Sequence, residues 1–297
     1  GRPGITAKTQ HNEVAPAQHE LAPIFCTANI ATDQNQLIME TLKKVADNHG
    51  LTCLLHEKPF AGVNGSGKHN NWSLCTDKGL NLLKPGANPS QNYPFLLFFT
   101  AVLAALAAYL DLVRMSAATL GNESRLGGHE APPTVISAFI GEDMQQLFDA
   151  LLSHSATGAH EMQRLNTGLN FVADIGKDFS DRNRTSPFAF TGNKFEFRMV
   201  GSSATLSTPN VVLNAAVSEM LSRMSDRLEK ADKSRLHEEA LGLACEFYER
   251  HKRIVFNGNG YSKEWFEEAE KRGLVHIDNS ITAYDALLAP KNVALFE

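Results

Sequence analysis

Several features that mark large protein classes are missing from this sequence. Its four cysteines, in a chain of 297 residues, include no Cys-x-x-Cys pair, which argues against a disulfide framework and indicates reduced thiols. A net charge of -5 and the absence of a continuous Lys/Arg stripe argue against nucleic acid as a partner. No apolar segment typical of a signal peptide stands at the beginning, so we expect a cytoplasmic protein.

Long hydrophobic runs are scarce as well. The longest, residues 95–110, is interrupted by Thr100 and falls short of the ~20 residues that a membrane-spanning helix needs. Pro94 precedes this run, and proline suits the first turn of a helix. We therefore predict a buried core helix and no contact with a membrane.

No Walker-type phosphate loop is present. A loop rich in glycine and serine, residues 59–67, leads into an alternating strand and is called the glycine loop below. Gly65 and Gly67 permit close approach of the backbone to a ligand. Period-two spacing places His69, Asn71 and Ser73 on one face of the strand. This pattern indicates a binding surface, and an ordinary β-hairpin with a glycine turn is the alternative.

Two acidic residues near the start are candidate metal ligands. Glu13 and Glu20 are separated by a proline turn, so they can converge from two short strands. Two carboxylates that share a site repel each other unless a cation lies between them, and Mg2+ or Mn2+ takes such oxygen ligands. Two solvated surface glutamates are the alternative.

A strictly alternating segment carries charge on one face and apolar side chains on the other. Lys194, Glu196 and Arg198 share the charged face, and Arg184 lies just upstream. An amphipathic edge strand would give the same pattern. The density of arginine nevertheless favours a site for a polyanion, because the guanidinium binds phosphate and carboxylate in a bidentate way.

A glycine- and proline-containing loop adds further candidates, Arg125 and Glu130. Together with the acids, the strand-borne histidine and the other arginines, these residues indicate metal-assisted phosphoryl transfer. Catalysis of that kind consists mostly of positioning and charge neutralisation.

The secondary structure predicted from these patterns mixes strands and helices, and no linker or repeat forces a domain boundary. Strand and loop are predicted for residues 5–31, and strands for residues 51–56 and 69–74. Extended segments are predicted for residues 171–174 and 188–199. The predicted helices cover residues 32–49, 95–113, 142–154, 211–230, 235–256, 263–272 and 281–288.

Four segments resemble glutamine synthetase and follow each other in the order found in that family. Their sequences are most similar to the type III branch. The segments are residues 12–20, 64–69, 122–130, and 183–184 with 195–198. The resemblance implies an α+β catalytic domain with a curved antiparallel sheet lining the active site and helices behind it. Residues 1–209 would carry the sheet and active site, and residues 210–297 would be mainly helical.

The resemblance implies an ATP-dependent ligase that makes glutamine from L-glutamate and ammonium through γ-glutamyl phosphate, with two or more Mg2+ or Mn2+ ions. The implied metal ligands are Glu13, Glu20, His69 and Glu196. The implied substrate-binding residues are Asn64, Gly65 and Arg125, and the nucleotide-binding residues are Asn71, Ser73 and Lys194. Glu130, Arg184 and Arg198 would be catalytic.

Asn71 and Lys194 differ from the better-known bacterial pattern, in which histidine and arginine are common at these places. The second arginine expected after Arg184 is also missing. The family carries two more metal-ligating glutamates and a β domain that would lie before Gly1, so we expect a chain truncated at both ends. By itself, such a chain is expected to be inactive.

The resemblance further implies a large ring-shaped homo-oligomer for the full-length form. Two alternatives share the fold: a ligase that joins glutamate to an amine, and a structural homologue without turnover. Loss of metal ligands would indicate the second alternative, but all four candidate ligands are present.

Overall fold

The computed structural model of the chain describes residues 4–155, 183–274 and 276–297. The predicted extended segment at residues 171–174 lies outside this described part. Six strands and ten α-helices are assigned within it.

The core is organised around one apolar helix, α2 (Tyr93–Ala108). The Asn92 side chain caps its first turn by accepting from the Phe95 amide, and the helix is buried from Phe95 to Ala107 apart from Leu97 and Phe98. Helices α6 (Ser207–Glu229) and α7 (Leu236–His251) pack against it. The predicted core helix is therefore confirmed.

The predicted segment 95–113 is divided between two helices. Tyr109 leaves helical geometry with φ -121° and ψ 30°, and α3 (Leu110–Met115) follows. None of the described helices is both long and apolar enough to cross a membrane.

The main sheet has four strands in the order β3 (Gly67–Trp72), β6 (Phe195–Gly201), β5 (Phe188–Phe190) and β4 (Ala138–Phe139). Strands β3 and β5 run antiparallel to β6, whereas β4 runs parallel to β5. The predicted α+β fold with helices behind a sheet is confirmed, but the sheet is mixed rather than wholly antiparallel.

Strand β6 lies in the middle of this sheet, and all seven of its residues are buried. The edge-strand interpretation of its alternating pattern is therefore wrong. On the helix side, Phe99 of α2 packs on Phe190 and Phe195, with ring centroids 5.0 and 5.5 Å away. These aromatic contacts hold the sheet against the core helix.

A separate antiparallel pair consists of β1 (Ala7–Asn12) and β2 (His19–Pro23); the candidate ligand Glu20 lies in β2, and Glu13 directly follows β1. Helix α1 (Ala28–Asn48) follows and begins earlier than predicted, and the Thr32 hydroxyl donates to the Ala28 carbonyl within the helix. The predicted strand at residues 51–56 is wrong. No strand is assigned there, and Leu51 and Leu54 are exposed, since no described strand pairs with this segment.

Short helices complete the described fold: α4 (Leu120–Glu123), α5 (Glu142–Ser155), α8 (Lys263–Lys271), α9 (Ser280–Tyr284) and α10 (Pro290–Phe296). Ser262 and Asn279 cap α8 and α9 with their side chains. The predicted helix at 281–288 is α9 followed by a 3-10 turn, Asp285–Leu288.

Candidate active site

The hairpin of β1 and β2 brings Glu13 and Glu20 together, as the sequence predicts. The imidazole Nε2 of His11 lies 2.6 Å from a Glu13 oxygen and 3.2 Å from a Glu20 oxygen. The ligand atoms of these three residues all lie within 4.8 Å of one another. Partial burial, followed by the hydrogen bond and charge of Glu13, raises the pKa of Glu20. Two crowded carboxyl groups beside an imidazole form a donor set that suits a divalent cation.

A second donor set lies on the main sheet. His69 Nδ1 of β3 is 3.3 Å from the Glu196 carboxylate of β6, and Arg198 donates to the other Glu196 oxygen at 2.7 and 2.9 Å. Burial alone would raise the pKa of Glu196, but the hydrogen bond from His69 and the charge of Arg198 outweigh it and hold this pKa at about 2. Glu196 is therefore ionised at neutral pH.

The two donor sets are neighbours. The charge of His69 opposes the effect of Glu13 on the pKa of Glu20 and lowers it. The Gln18 side chain ties the hairpin to the glycine loop, because it donates to the Gly65 carbonyl and to the Ser66 hydroxyl, both at 3.0 Å. The hairpin that carries one donor set is thus hydrogen-bonded to the loop that leads into the strand of the other.

The glycine loop packs directly on Arg125. A Cβ added at Gly67 would lie 2.1 Å from a guanidinium nitrogen of Arg125, and one at Gly65 would lie 2.9 Å from its Cγ. Only glycine leaves room for the arginine at these two positions. The loop and Arg125 therefore form one packed unit.

The Arg125 side chain is buried, whereas an arginine that binds a carboxylate at the surface is exposed. It is 5% exposed, and its guanidinium donates to Asn122 Oδ1 at 2.9 Å and to the carbonyls of Arg198 and Met199 at 2.8 and 3.4 Å. Burial lowers the pKa of Arg125 to about 10, so the group stays charged at neutral pH. A direct contact of Arg125 with substrate stays a prediction.

The loop that carries Glu130 contacts the glycine loop. Arg184 forms an ion pair with the Glu130 carboxylate, and the Asn64 amide donates to its second oxygen at 3.3 Å. His129 and Glu130 have φ of 49° and 67°, in the left-handed region that residues other than glycine rarely adopt. Such backbone strain is typical of functional loops. Three predicted site residues thus meet at this loop.

The predicted nucleotide-binding residues lie at one end of the pair β3 and β6. Ser73 Oγ donates to the carbonyl of Asn193, next to Lys194, and Asn71 is the cross-strand partner of Glu196. The Asn71 amide donates to the His69 carbonyl at 3.3 Å. Among the described residues, Lys194 forms no ion pair. The nucleotide role of Asn71, Ser73 and Lys194 stays a prediction.

Two residues near the site were missed from the sequence. His11 carried a usable signal, because it lies two residues before Glu13, which directly follows β1, and two residues is the side-chain period of an extended chain. Glu57 carried none. It precedes the glycine loop in a segment that resembled a strand end, yet it is 2% exposed and its carboxylate is fully enclosed by residues distant in sequence.

Comparison with known proteins identifies the relatives of this arrangement. A family model for the catalytic domain of glutamine synthetase matches residues 2–134, and one for the glutamine synthetase C-terminal domain matches residues 241–297. The type-3 glutamine synthetase of Dictyostelium discoideum is 48% identical over 99% of this chain and 40% of its own length. The glutamine synthetase of Butyrivibrio fibrisolvens is 50% identical over 92% of this chain and 39% of its own length.

The fold agrees with these matches. The cryo-EM structure of Plasmodium falciparum glutamine synthetase has a TM-score of 0.54 at 13% identity, and the match covers 99% of this chain and 58% of that chain. The chain spans about 40% of the length of the curated relatives that it matches. Both family models and the sequence matches agree, and the chain belongs to the glutamine synthetase family.

Proposed function

We propose that the full-length protein joins ammonium to the γ-carboxylate of L-glutamate, with ATP and through γ-glutamyl phosphate, to form L-glutamine. The observation that carries this proposal is a pair of oxygen- and imidazole-bearing donor sets, one on the hairpin and one on the main sheet, where Arg198 is bound to Glu196. The names of the relatives that match most of the chain support the same activity.

The glutamine synthetase family implies the use of ATP and a divalent metal. The residues present fit such ions: His11, Glu13 and Glu20 would hold one, and His69 with Glu196 would hold another. When bound, divalent ions neutralise the charge of the transferring phosphoryl group. Mg2+ and Mn2+ are both compatible with this donor set, and the imidazoles favour Mn2+ over Mg2+.

The arginines supply fixed positive charge around the reacting groups. Arg198 is held in place by Glu196 and by the carbonyl of Asn183, so its guanidinium is oriented before substrate binds. Arg184 is exposed and is paired with Glu130, so an incoming phosphate or carboxylate can compete for it. We assign both to stabilising the acyl phosphate.

Glu130 is the proposed acceptor of the proton from ammonium. Its loop brings the carboxylate to Asn64, which we assign to glutamate binding together with Gly65 and Arg125. With Arg184 engaged by substrate, the carboxylate is released to take the proton. Asn71, Ser73 and Lys194 are assigned to the nucleotide at the adjoining end of the sheet.

We further propose the two-part organisation with residues 1–209 as the active-site portion and 210–297 as the helical portion. The match of a separate C-terminal family model to residues 241–297 supports a division of this kind. A cytoplasmic, ring-shaped homo-oligomer is proposed for the full-length protein.

The test is a glutamine assay on the full-length gene product with ATP and Mn2+ or Mg2+. Ammonia should be a far better acceptor than methylamine or ethylamine, and the reverse order would favour the glutamate-amine ligase. Calorimetry with Mn2+ supplies a readout other than turnover. Glu20→Gln should weaken binding of one ion, whereas Glu40→Gln on the exposed face of α1 should leave it unchanged. Equal metal binding by both variants would remove Glu20 from the site.

A further inference from the structure

A buried carboxylate, Glu57, lies beneath the glycine loop and outside both donor sets. One of its oxygens, Oε1, accepts from the Ser203 amide at 3.0 Å and from the Ser203 hydroxyl at 2.5 Å. Its side chain is 2% exposed. A carboxylate is rarely buried to this extent unless its charge is compensated.

Two glycines make room for this carboxylate. A Cβ added at Gly121 of α4 would lie 2.4 Å from Glu57 Oε2, and one at Gly201 of β6 would lie 2.4 Å from Oε1. These contacts are closer than real Cβ atoms adopt, so any other residue would displace the carboxylate. Glu57 thus joins the end of β6 to the helix that leads to Arg125.

The charge of Glu57 faces two enclosed cations. Burial lowers the pKa of Lys68 to about 8 and that of Arg125 to about 10, and the negative charge of Glu57 opposes both effects. The Lys68 ammonium donates to the carbonyls of Ser202, at 2.7 Å, and Ala204. Glu57 and Lys68 therefore both bind the segment after β6.

The backbone of Glu57 also shapes the loop itself. Its carbonyl accepts from the Ser66 amide at 2.7 Å, which closes the loop on itself. A Cβ at Gly65 would lie 2.4 Å from the same carbonyl. Asn64, which contacts Glu130, lies within this closed loop. One residue therefore contacts the glycine loop through its backbone and faces Arg125 through its charge.

We propose that Glu57 is a positioning residue for L-glutamate: it holds the glycine loop and Arg125 in the arrangement that binds the substrate. The inference rests on the proposed function, because it assigns the loop and Arg125 to L-glutamate. Glu57 itself does not touch the substrate. Its loss should therefore act on glutamate binding and leave the nucleotide end of the sheet intact.

The test compares Glu57→Gln with the wild-type, full-length gene product. Glutamine keeps the size and an acceptor for Ser203 but removes the charge that faces Arg125 and Lys68. The KM for L-glutamate should rise roughly 10–100-fold, as when a group that orients a ligand-binding residue is lost. The KM for ATP should change by less than about twofold. An equal effect on both substrates would instead indicate a general loss of structure.

Calorimetric titration with L-glutamate should show the same loss of affinity, and Glu57→Asp, which restores the charge, should recover part of it. The matched control is Glu40→Gln, which removes an exposed carboxylate paired with Lys44 at the surface and should behave as wild type. Melting temperatures establish that each variant is folded. If Glu57→Gln does not fold, Ser203→Ala removes one donor to Oε1 and should raise the KM for L-glutamate in the same direction.

The possible outcomes separate this inference from the proposed function. A wild-type protein that binds L-glutamate but forms no glutamine would reject the proposed function, and the calorimetric comparison would still decide the role of Glu57. A folded Glu57→Gln variant with wild-type affinity for L-glutamate would overturn the inference. An equal rise in both KM values would overturn it too.

Discussion

The buried pair of Glu196 and Arg198 makes stability depend on pH in a way that can be calculated. The Glu196 side chain is 8% exposed, and its pKa is about 2 in the folded protein against an ordinary 4.5. A depressed carboxyl pKa stabilises the folded state above the unfolded pKa, and this contribution is lost as the pH falls through the folded pKa. At about 1.36 kcal/mol per pH unit, the contribution is ~3 kcal/mol at pH 6 and ~2 kcal/mol at pH 3.5.

The perturbation is Glu196→Gln, which keeps an acceptor for Arg198 but has no charge to titrate. We expect the variant to be less stable than wild type by ~3 kcal/mol at pH 6, and this difference should shrink by ~1 kcal/mol at pH 3.5. The assay is urea unfolding followed by tryptophan fluorescence at the two pH values, with EDTA present so that metal binding does not contribute.

The control is Glu219→Gln, which removes an exposed partner of Arg223 on α6. An exposed pair of this kind is worth ~0.3–0.5 kcal/mol, so its loss should have a small effect at either pH. A Glu196→Gln difference that is the same at both pH values would refute the reasoning, because the contribution of Glu196 would then not depend on its ionisation.

Three further predictions concern the site and the core. Arg125→Ala should raise the KM for L-glutamate much more than that for ATP, since a charge-assisted bond to a carboxylate is worth ~1.5–3 kcal/mol, and an unchanged glutamate dependence would remove Arg125 from the site. Glu130→Gln keeps the contacts to Asn64 and Arg184 but cannot accept a proton, so kcat should fall ~10²–10⁴-fold with a smaller change in KM, and a kcat close to wild type would exclude the general-base role. Phe99→Ala should lower the free energy of unfolding by ~3–5 kcal/mol in urea titrations, because this ring is fully buried between α2 and the sheet, and a loss below ~1 kcal/mol would contradict that packing.

Much of the site could be predicted because its residues stand in local patterns. The alternation of His69, Asn70, Asn71 and Trp72 follows from strand geometry, and the structure has the first and third exposed and the others buried. Glu13 and Glu20 converge because a short turn leaves two adjoining segments little choice but to pair. The family was recognisable from four ordered motifs, and the matches confirm it.

The features that could not be predicted depend on contacts between segments that are distant in sequence. The segment at residues 51–56 resembled a strand, but pairing requires a partner at an open sheet edge, and none of the described strands provides one. The parallel pairing of β4 with β5 and the central place of β6 are likewise choices among partners far apart in sequence. Hydrophobic period does not encode those choices.

The sequence by itself determined the local elements and the chemistry available to them: an apolar run long enough for α2, an alternating strand with Glu196 and Arg198 on one face, and a loop with glycine at 65 and 67. Only the tertiary structure decided where the charges lie. Glu57 meets Gly121 and Gly201, and Arg125 lies under Gly67, through contacts between segments 58–144 residues apart. Helix and strand periods arise from backbone geometry within a few residues, whereas the burial of a carboxylate depends on which distant backbone leaves space for it and which cations face it.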